Sequence, residues 1–184
     1  MIHLPFRRPL PDPTIAGLYG TIVAQARSPI FYRGYGVPDT VAGRFDMIVL
    51  HLVLFLQRLR SESPAAQALG QAVFNLFCRD VDDNFREMGM GDLAVPREMR
   101  KVGEAFYGRA AAYETALATD DEALAAALAR NIFGEPTDGA RRLAIYVRAA
   151  ARLLATQRKF SGAELRFPDP ENIAPVHLEE DQRT

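Results

Sequence analysis

Hydrophobic residues recur at intervals of three and four along most of this chain, which is the spacing of one face of an α-helix. The pattern predicts about six helices between residues 14 and 160, and no segment shows the alternation of a half-buried strand. Short connections between the helices predict mostly antiparallel neighbours. The sequence therefore predicts an all-α protein with a single helical-bundle domain.

One predicted helix is apolar on nearly every side between Met47 and Leu56. A helix that is hydrophobic all round normally lies at the centre of a protein. The apolar run is shorter than the roughly 20 residues that cross a bilayer, so we expect a soluble or peripheral protein. His51 interrupts the run, and a histidine in this setting is more often a hydrogen-bonded core residue than a metal ligand.

Three aromatic residues, Phe31, Tyr32 and Tyr35, follow the first predicted helix on a short segment interrupted by glycine and proline. Large aromatic side chains on such a backbone either plug the core or form a contact surface. The sequence leaves both interpretations open and favours the plug.

The two ends of the chain differ from its middle. Prolines predict an extended N-terminal arm over residues 1–13, which also lacks the apolar stretch of a secretory signal. The helical period is lost after residue 160, so 161–184 is predicted as a flexible acidic tail and 14–160 as the helical domain. The tail has 6 acidic and 2 basic residues, whereas residues 1–160 have 20 basic and 17 acidic ones, within a net charge of −1.

Basic residues cluster on two predicted helices, as Arg97, Arg100 and Lys101 on one and as Arg141, Arg148 and Arg152 on the other. They are either solvated helix faces or a patch for anionic lipid head groups, ribosomal RNA or an acidic partner. The near-neutral total charge gives no reason to expect DNA binding. Cys78 is the only cysteine, which excludes an internal disulfide framework and fits a reducing, cytoplasmic location.

The sequence contains no catalytic constellation. It has neither a phosphate-binding P-loop motif nor a serine in a nucleophile-elbow motif. The acidic cluster around Asp82 and Asp83 lacks the Glu-x-x-His pairs of di-iron bundles. The paired-aspartate magnesium motif of all-α isoprenoid enzymes is incomplete, because Arg86 stands at its last position. We therefore expect no enzymatic activity, no metal site and no cofactor.

Six short blocks, in order along the chain, carry a family resemblance. They are LYGTIVAQAR at residues 18–27, PIFY at 29–32, GVPDT at 36–40, GRFD at 43–46, REMGMGD at 86–92 and EAFYGR at 104–109. In the order and spacing of these blocks the chain resembles the ubiquinol–cytochrome c chaperone family.

The resemblance implies a non-enzymatic chaperone that binds newly made cytochrome b during assembly of the cytochrome bc1 complex, which oxidises ubiquinol in respiration. Mitochondrial family members work with a small partner chaperone near the ribosomal tunnel exit, so the ribosome or such a partner is a further expectation. The arginine-dominated composition and the absent targeting segment favour a bacterial member. We expect it in the cytoplasm, in peripheral contact with the inner face of the cytoplasmic membrane.

A chaperone for a membrane protein needs an adaptable apolar surface, which methionine and aromatic side chains supply, together with some positive charge. We expect the aromatic segment at 31–35 to meet the helix end at 88–90. The candidate partner-binding residues are Phe31, Tyr32, Tyr35, Arg44, Asp46, Phe85, Arg86, Met88, Met90, Asp92, Tyr107 and Arg109. Their charged members either pair with one another or contact the partner. The alternative function is a membrane-associated, helical protein that binds a quinone or isoprenoid.

Overall fold

A computed structural model describes residues 12–173, and the regular structure in that range is entirely helical. The helices are α1 (Pro13–Ala26), α2 (Pro29–Arg33), α3 (Val41–Arg60), α4 (Pro64–Glu87), α5 (Val95–Thr119), α6 (Asp121–Leu128), α7 (Asp138–Thr156) and α8 (Pro170–Ile173). A π-helical turn, Ala129–Phe133, continues α6. The predicted all-α helical fold is confirmed.

Local sequence signals set the helix ends. Side-chain oxygens of Thr40, Ser63, Asp120 and Thr137 each accept a hydrogen bond from the backbone N–H three residues further on, which caps α3, α4, α6 and α7. Helix α4 stops just before Gly89, whose φ of 84° is a left-handed conformation that suits glycine.

Helix α3 lies at the centre of the bundle, as its apolar run predicts. It contacts α1, α4, α5 and α7, and every residue from Asp46 to Phe55 is buried. Over residues 12–173, no helix combines the length and the apolar content that crossing a membrane requires.

His51 is a core histidine, held by a short chain of hydrogen bonds. Its Nδ1–H donates to the carbonyl of Met47 at 2.8 Å, and its Nε2 accepts from the Tyr146 hydroxyl at 2.8 Å. The Gln25 amide in turn donates to the Tyr146 oxygen at 3.0 Å. Because burial disfavours the charged imidazolium, the pKa of His51 is lowered to about 4.

Residues 157–173, here named the C-terminal strap, pack over this network. Thr21, Gln25 and Tyr35 donate side-chain hydrogen bonds to strap carbonyls at 2.9, 3.1 and 2.7 Å, and Leu165 is 1% exposed. Residues 161–173 are therefore packed, unlike the flexible tail that the sequence predicts, because their carbonyls accept hydrogen bonds and apolar side chains such as Leu165 and Phe167 lie against the core. Residues 1–11 and 174–184 lie outside the described residues, so the rest of the predicted arm and tail stays a prediction.

Lowering the pH should destabilise the fold through His51. The unfolded chain protonates this histidine near its ordinary pKa of 6.5, whereas the folded chain does so only near 4. Between these values the unfolded state binds more protons, so the free energy of unfolding falls with falling pH, by roughly 3 kcal/mol in all.

Urea unfolding of the wild type and of His51→Gln across this pH range measures the effect. The variant should lack this part of the pH dependence. If the free energy of unfolding changes equally with pH in the two proteins, His51 is not the cause of the pH dependence.

Candidate binding groove

An apolar groove with a volume of about 690 Å³ opens between α1, α3, α4 and α5. Ile48 and Phe77 in its lining are 9% and 1% exposed, whereas Val41 and Met88 are 84% and 68% exposed. The apolar lining consists of Val41, Ala42, Phe45, Ile48, Phe77, Val81, Phe85, Met88 and Val102. Exposed apolar side chains beside a concave apolar surface are typical of a binding site.

Helix ends create this exposure. Val41 is the first residue of α3, directly after the Thr40 cap, and Met88 caps the C-terminus of α4 just before Gly89. The ring of Phe45 lies 6.0 Å from that of Phe77, which joins α3 to α4 inside the groove. The two most exposed apolar residues of the groove therefore lie where helices start and stop, outside the closely packed middle of the bundle.

The groove adjoins a smaller pocket of about 180 Å³, which we name the arginine pocket. It is lined by Arg27, Pro29, Tyr32, Arg33, Asp39 and Arg44, and it shares Arg27 and Arg44 with the groove. The Arg44 Nε–H donates to Asp39 Oδ1 at 2.7 Å, and the guanidinium lies 5.7 Å from the centre of the Tyr32 ring. This hydrogen bond from Arg44 lowers the pKa of Asp39.

Asp80 places a negative charge on the α4 side of the groove. It accepts a hydrogen bond from the Tyr19 hydroxyl at 2.7 Å. Burial, strengthened by this hydrogen bond, raises the pKa of Tyr19 far above its ordinary value, so Tyr19 remains a donor. Asn84 lies one turn further on and donates to the Asp80 carbonyl at 2.6 Å. The groove is thus positive at Arg27 and Arg44 and negative at Asp80.

Four of the predicted partner-binding residues meet here. Arg44, Phe85 and Met88 line the groove, and Tyr32 lines the adjoining arginine pocket. Tyr32 and Met88 thus line neighbouring cavities and not the same one, and Met90 lines neither, so a direct meeting of the aromatic segment with the α4 end stays a prediction.

Phe31 and Tyr35 are core residues in this structure, 0% and 1% exposed. The ring of Phe31 packs edge-on against those of Tyr35 and Tyr146, with centroids 5.4 and 4.8 Å apart. Of the two interpretations of this segment, the plug describes them and the contact surface does not. Tyr107 is 65% exposed but lies beside a different depression, lined by Phe74 and Phe106.

The remaining charged candidates pair within the protein. Arg109 on α5 binds Asp46 on α3 at 2.8 Å, and both side chains are largely buried. Burial raises the pKa of Asp46, and Arg109 opposes this rise. Arg86 binds Asp82 at 2.7 Å and also Asp92, so it ties the end of α4 to the turn that follows. In this structure these residues pair with one another, and their contact with a partner stays a prediction.

The two basic clusters are also largely paired. Arg97 and Lys101 both contact Glu98, and Arg100 lies 3.7 Å from Glu104. On α7, Arg141 pairs with Asp138 and Arg148 with Asp121. This pairing favours solvated helix faces over a dedicated anion-binding patch.

Arg27, Val41 and Asp80 line the groove but are not among the residues predicted for it. The only sequence feature that marks Arg27 is its place in the first block of family resemblance. No sequence feature marks Val41 or Asp80 as a binding residue, because tertiary packing brings both to the groove. Among residues 12–173, no cluster of three or more His, Cys, Asp or Glu residues could hold a metal ion.

Comparisons with known proteins agree on one family. Residues 33–166 match the family model described as ubiquinol-cytochrome C chaperone. The chain is 30% identical over 129 residues to ubiquinol-cytochrome-c reductase complex assembly factor 1 of Xenopus laevis, covering 68% of this chain and 64% of that protein. The protein of that name from Homo sapiens is 24% identical over 148 residues, covering 80% of this chain and 50% of that protein. The match therefore spans about half to two-thirds of the length of these relatives.

A solved structure shows the same fold. The crystal structure of the Cbp3 homolog from Brucella abortus superposes with a TM-score of 0.80 at 39% sequence identity, over 87% of this chain and 91% of that one. Apart from Tyr19 and Arg27, every residue that lines the groove lies within the family match.

Breaking the ion pair between Asp46 and Arg109 should destabilise the protein strongly. Arg109→Met leaves a buried carboxylate without its partner, which costs about 3–5 kcal/mol of unfolding free energy. The matched control is Arg60→Met, because Arg60 joins the same two helices through an exposed pair with Glu114. Losing an exposed pair costs under about 1 kcal/mol. Urea unfolding compares the two variants, and equal losses would contradict a structural role for the buried pair.

Proposed function

The chain belongs to the ubiquinol–cytochrome c chaperone family, and we propose that it is a non-enzymatic assembly factor of the cytochrome bc1 complex that binds newly made cytochrome b. The observation that carries this proposal is the open apolar groove with Val41 and Met88 exposed beside it. Cytochrome b spans the membrane several times, and its apolar segments aggregate in water until they pack. A groove that covers one such segment keeps it available for assembly.

The shape of the groove suits an apolar helical segment. An amphipathic or apolar helix binds a groove by inserting side chains spaced three and four residues apart. Met88 adapts to irregular partners because its side chain is unbranched and flexible. Each large apolar side chain that becomes buried contributes roughly 1.5–3 kcal/mol, so a few contacts suffice for reversible binding.

This function brings the protein to the membrane, where its client is inserted. We therefore propose peripheral association with the inner face of the cytoplasmic membrane. Leu93, which is 97% exposed in the turn between α4 and α5, supports such a contact. A small partner chaperone and the ribosome stay predictions of the family resemblance.

Charged substitutions in the groove should abolish client binding without unfolding the protein. Val41→Asp and Met88→Asp change exposed side chains, so the fold tolerates them, but a bound apolar segment would bury the new carboxylate without a partner. We expect the captured cytochrome b to fall by more than about tenfold. The matched control is Ile145→Asp, on α7 and outside the groove, which is 51% exposed.

Tagged variants are expressed in cells that lack the chromosomal gene. Co-purified cytochrome b and the haem b content of assembled bc1 complex are then measured. The wild type and Ile145→Asp should restore both. Normal bc1 levels in the deletion strain, or equal capture by the groove variants, would overturn the proposal. Recovery of a quinone or isoprenoid in place of cytochrome b would instead support the alternative binding function.

A further inference from the structure

We propose that the arginine pocket binds a carboxylate of the client, so that the protein selects apolar polypeptide segments with an acidic residue at one end. The inference rests on the proposed function and deepens it, because it assigns a chemical identity to one end of the bound segment. It is carried by the continuity of the two cavities and by the charges that face them.

The arginine pocket and the groove form one continuous surface. Arg27 follows α1 and Arg44 lies on the first turn of α3, and both residues line both cavities. An apolar segment in the groove therefore presents the residue at its end to the arginine pocket. The pocket volume of about 180 Å³ holds roughly six water molecules, which is room for an acidic side chain.

The arginines are arranged to receive an anion. Among the described residues, the guanidinium groups of Arg27 and Arg33 have no hydrogen-bond or ion-pair partner, and it is the backbone N–H of Arg27 that is bonded, to the carbonyl of Val23. Their side-chain N–H donors are therefore available. Arg44 is fixed in place by Asp39 and by the Tyr32 ring. Asp39 neutralises one of the three guanidinium charges and leaves the pocket positive. Arginine binds carboxylates through paired hydrogen bonds of defined geometry.

The opposite wall distinguishes a polypeptide from an anionic lipid. Asp80 offers a carboxylate acceptor and Asn84 an amide on the α4 side of the groove. Polar side chains of a polypeptide supply N–H donors to such acceptors, and an acidic side chain supplies a carboxylate to the arginines. The phosphate group of a lipid carries negative charge but no N–H donor for Asp80 or Asn84. The mixture of charges around the groove thus favours a polypeptide segment.

The test compares two fluorescent peptides with amidated C-termini that share one leucine–alanine apolar run and end in either Glu or Gln. Binding to the full chain is measured by fluorescence anisotropy at low salt. The wild type should bind the Glu peptide about tenfold more tightly, as expected for one charge-assisted hydrogen-bonded contact. The double variant Arg27→Gln, Arg33→Gln should bind both peptides equally, with the affinity of the wild type for the Gln peptide.

The matched control is the double variant Arg130→Gln, Arg152→Gln, which removes two exposed arginines from elsewhere on the surface and should keep the preference. Thermal melts followed by circular dichroism confirm that all variants fold. Phosphatidylcholine vesicles containing phosphatidylglycerol serve as the lipid probe.

The outcomes separate this inference from the proposed function. If the wild type binds both peptides equally and Val41→Asp binds neither, the groove binds apolar segments but carboxylate recognition is wrong. If the wild type binds neither peptide, both proposals fail. If the arginine-pocket variant loses vesicle binding and keeps the peptide preference, the pocket recognises a lipid head group and the inference is overturned.

Discussion

The architecture depends on the burial of α3. Ten consecutive residues of this helix, 46–55, are shielded from solvent, which requires neighbours on every side, and α1, α4, α5 and α7 provide them. The cover does not extend to the first turn, where Val41, Ala42 and Arg44 are exposed. The groove lies beside this uncovered turn. The helices that bury the middle of α3 do not reach its first turn, and this leaves an apolar surface open there.

Two polar residues fix how the neighbouring helices are arranged around α3, and they do so in different ways. His51 is buried in its neutral form, and its hydrogen bond to Tyr146 joins α3 to α7. Asp46, little more than one turn earlier, is buried as one partner of an ion pair with Arg109, which joins α3 to α5. Both contacts are satisfied in one register of the helices, so they add specificity to packing that is otherwise apolar.

Much of this fold could be predicted from the sequence, because the signals for it are local. The all-round apolar run of α3, the cap at Thr40 and the stop at Gly89 each depend on a few adjacent residues. The C-terminal strap could not be predicted, since its anchors are backbone carbonyls and a few apolar side chains, such as Leu165, that follow no helical period. The site was predicted in part. Phe85 and Met88 are apolar residues on a helical stripe, whereas Arg27 and Asp80 acquire a role only when α1 and α4 come together.

Under the proposed function, the composition of the groove also accounts for release of the client. Each apolar contact at Val41 or Met88 contributes little binding free energy. The loss of translational and rotational freedom on association costs about 4 kcal/mol or more. A segment held by such contacts alone dissociates readily. A carboxylate on the arginine pocket adds affinity that is lost once that carboxylate is paired elsewhere, because Arg27 and Arg33 then face water again. Under the proposed function, folding and packing of the client withdraw both its apolar face and its charge, so each assembly step that completes the client also weakens its hold on the groove.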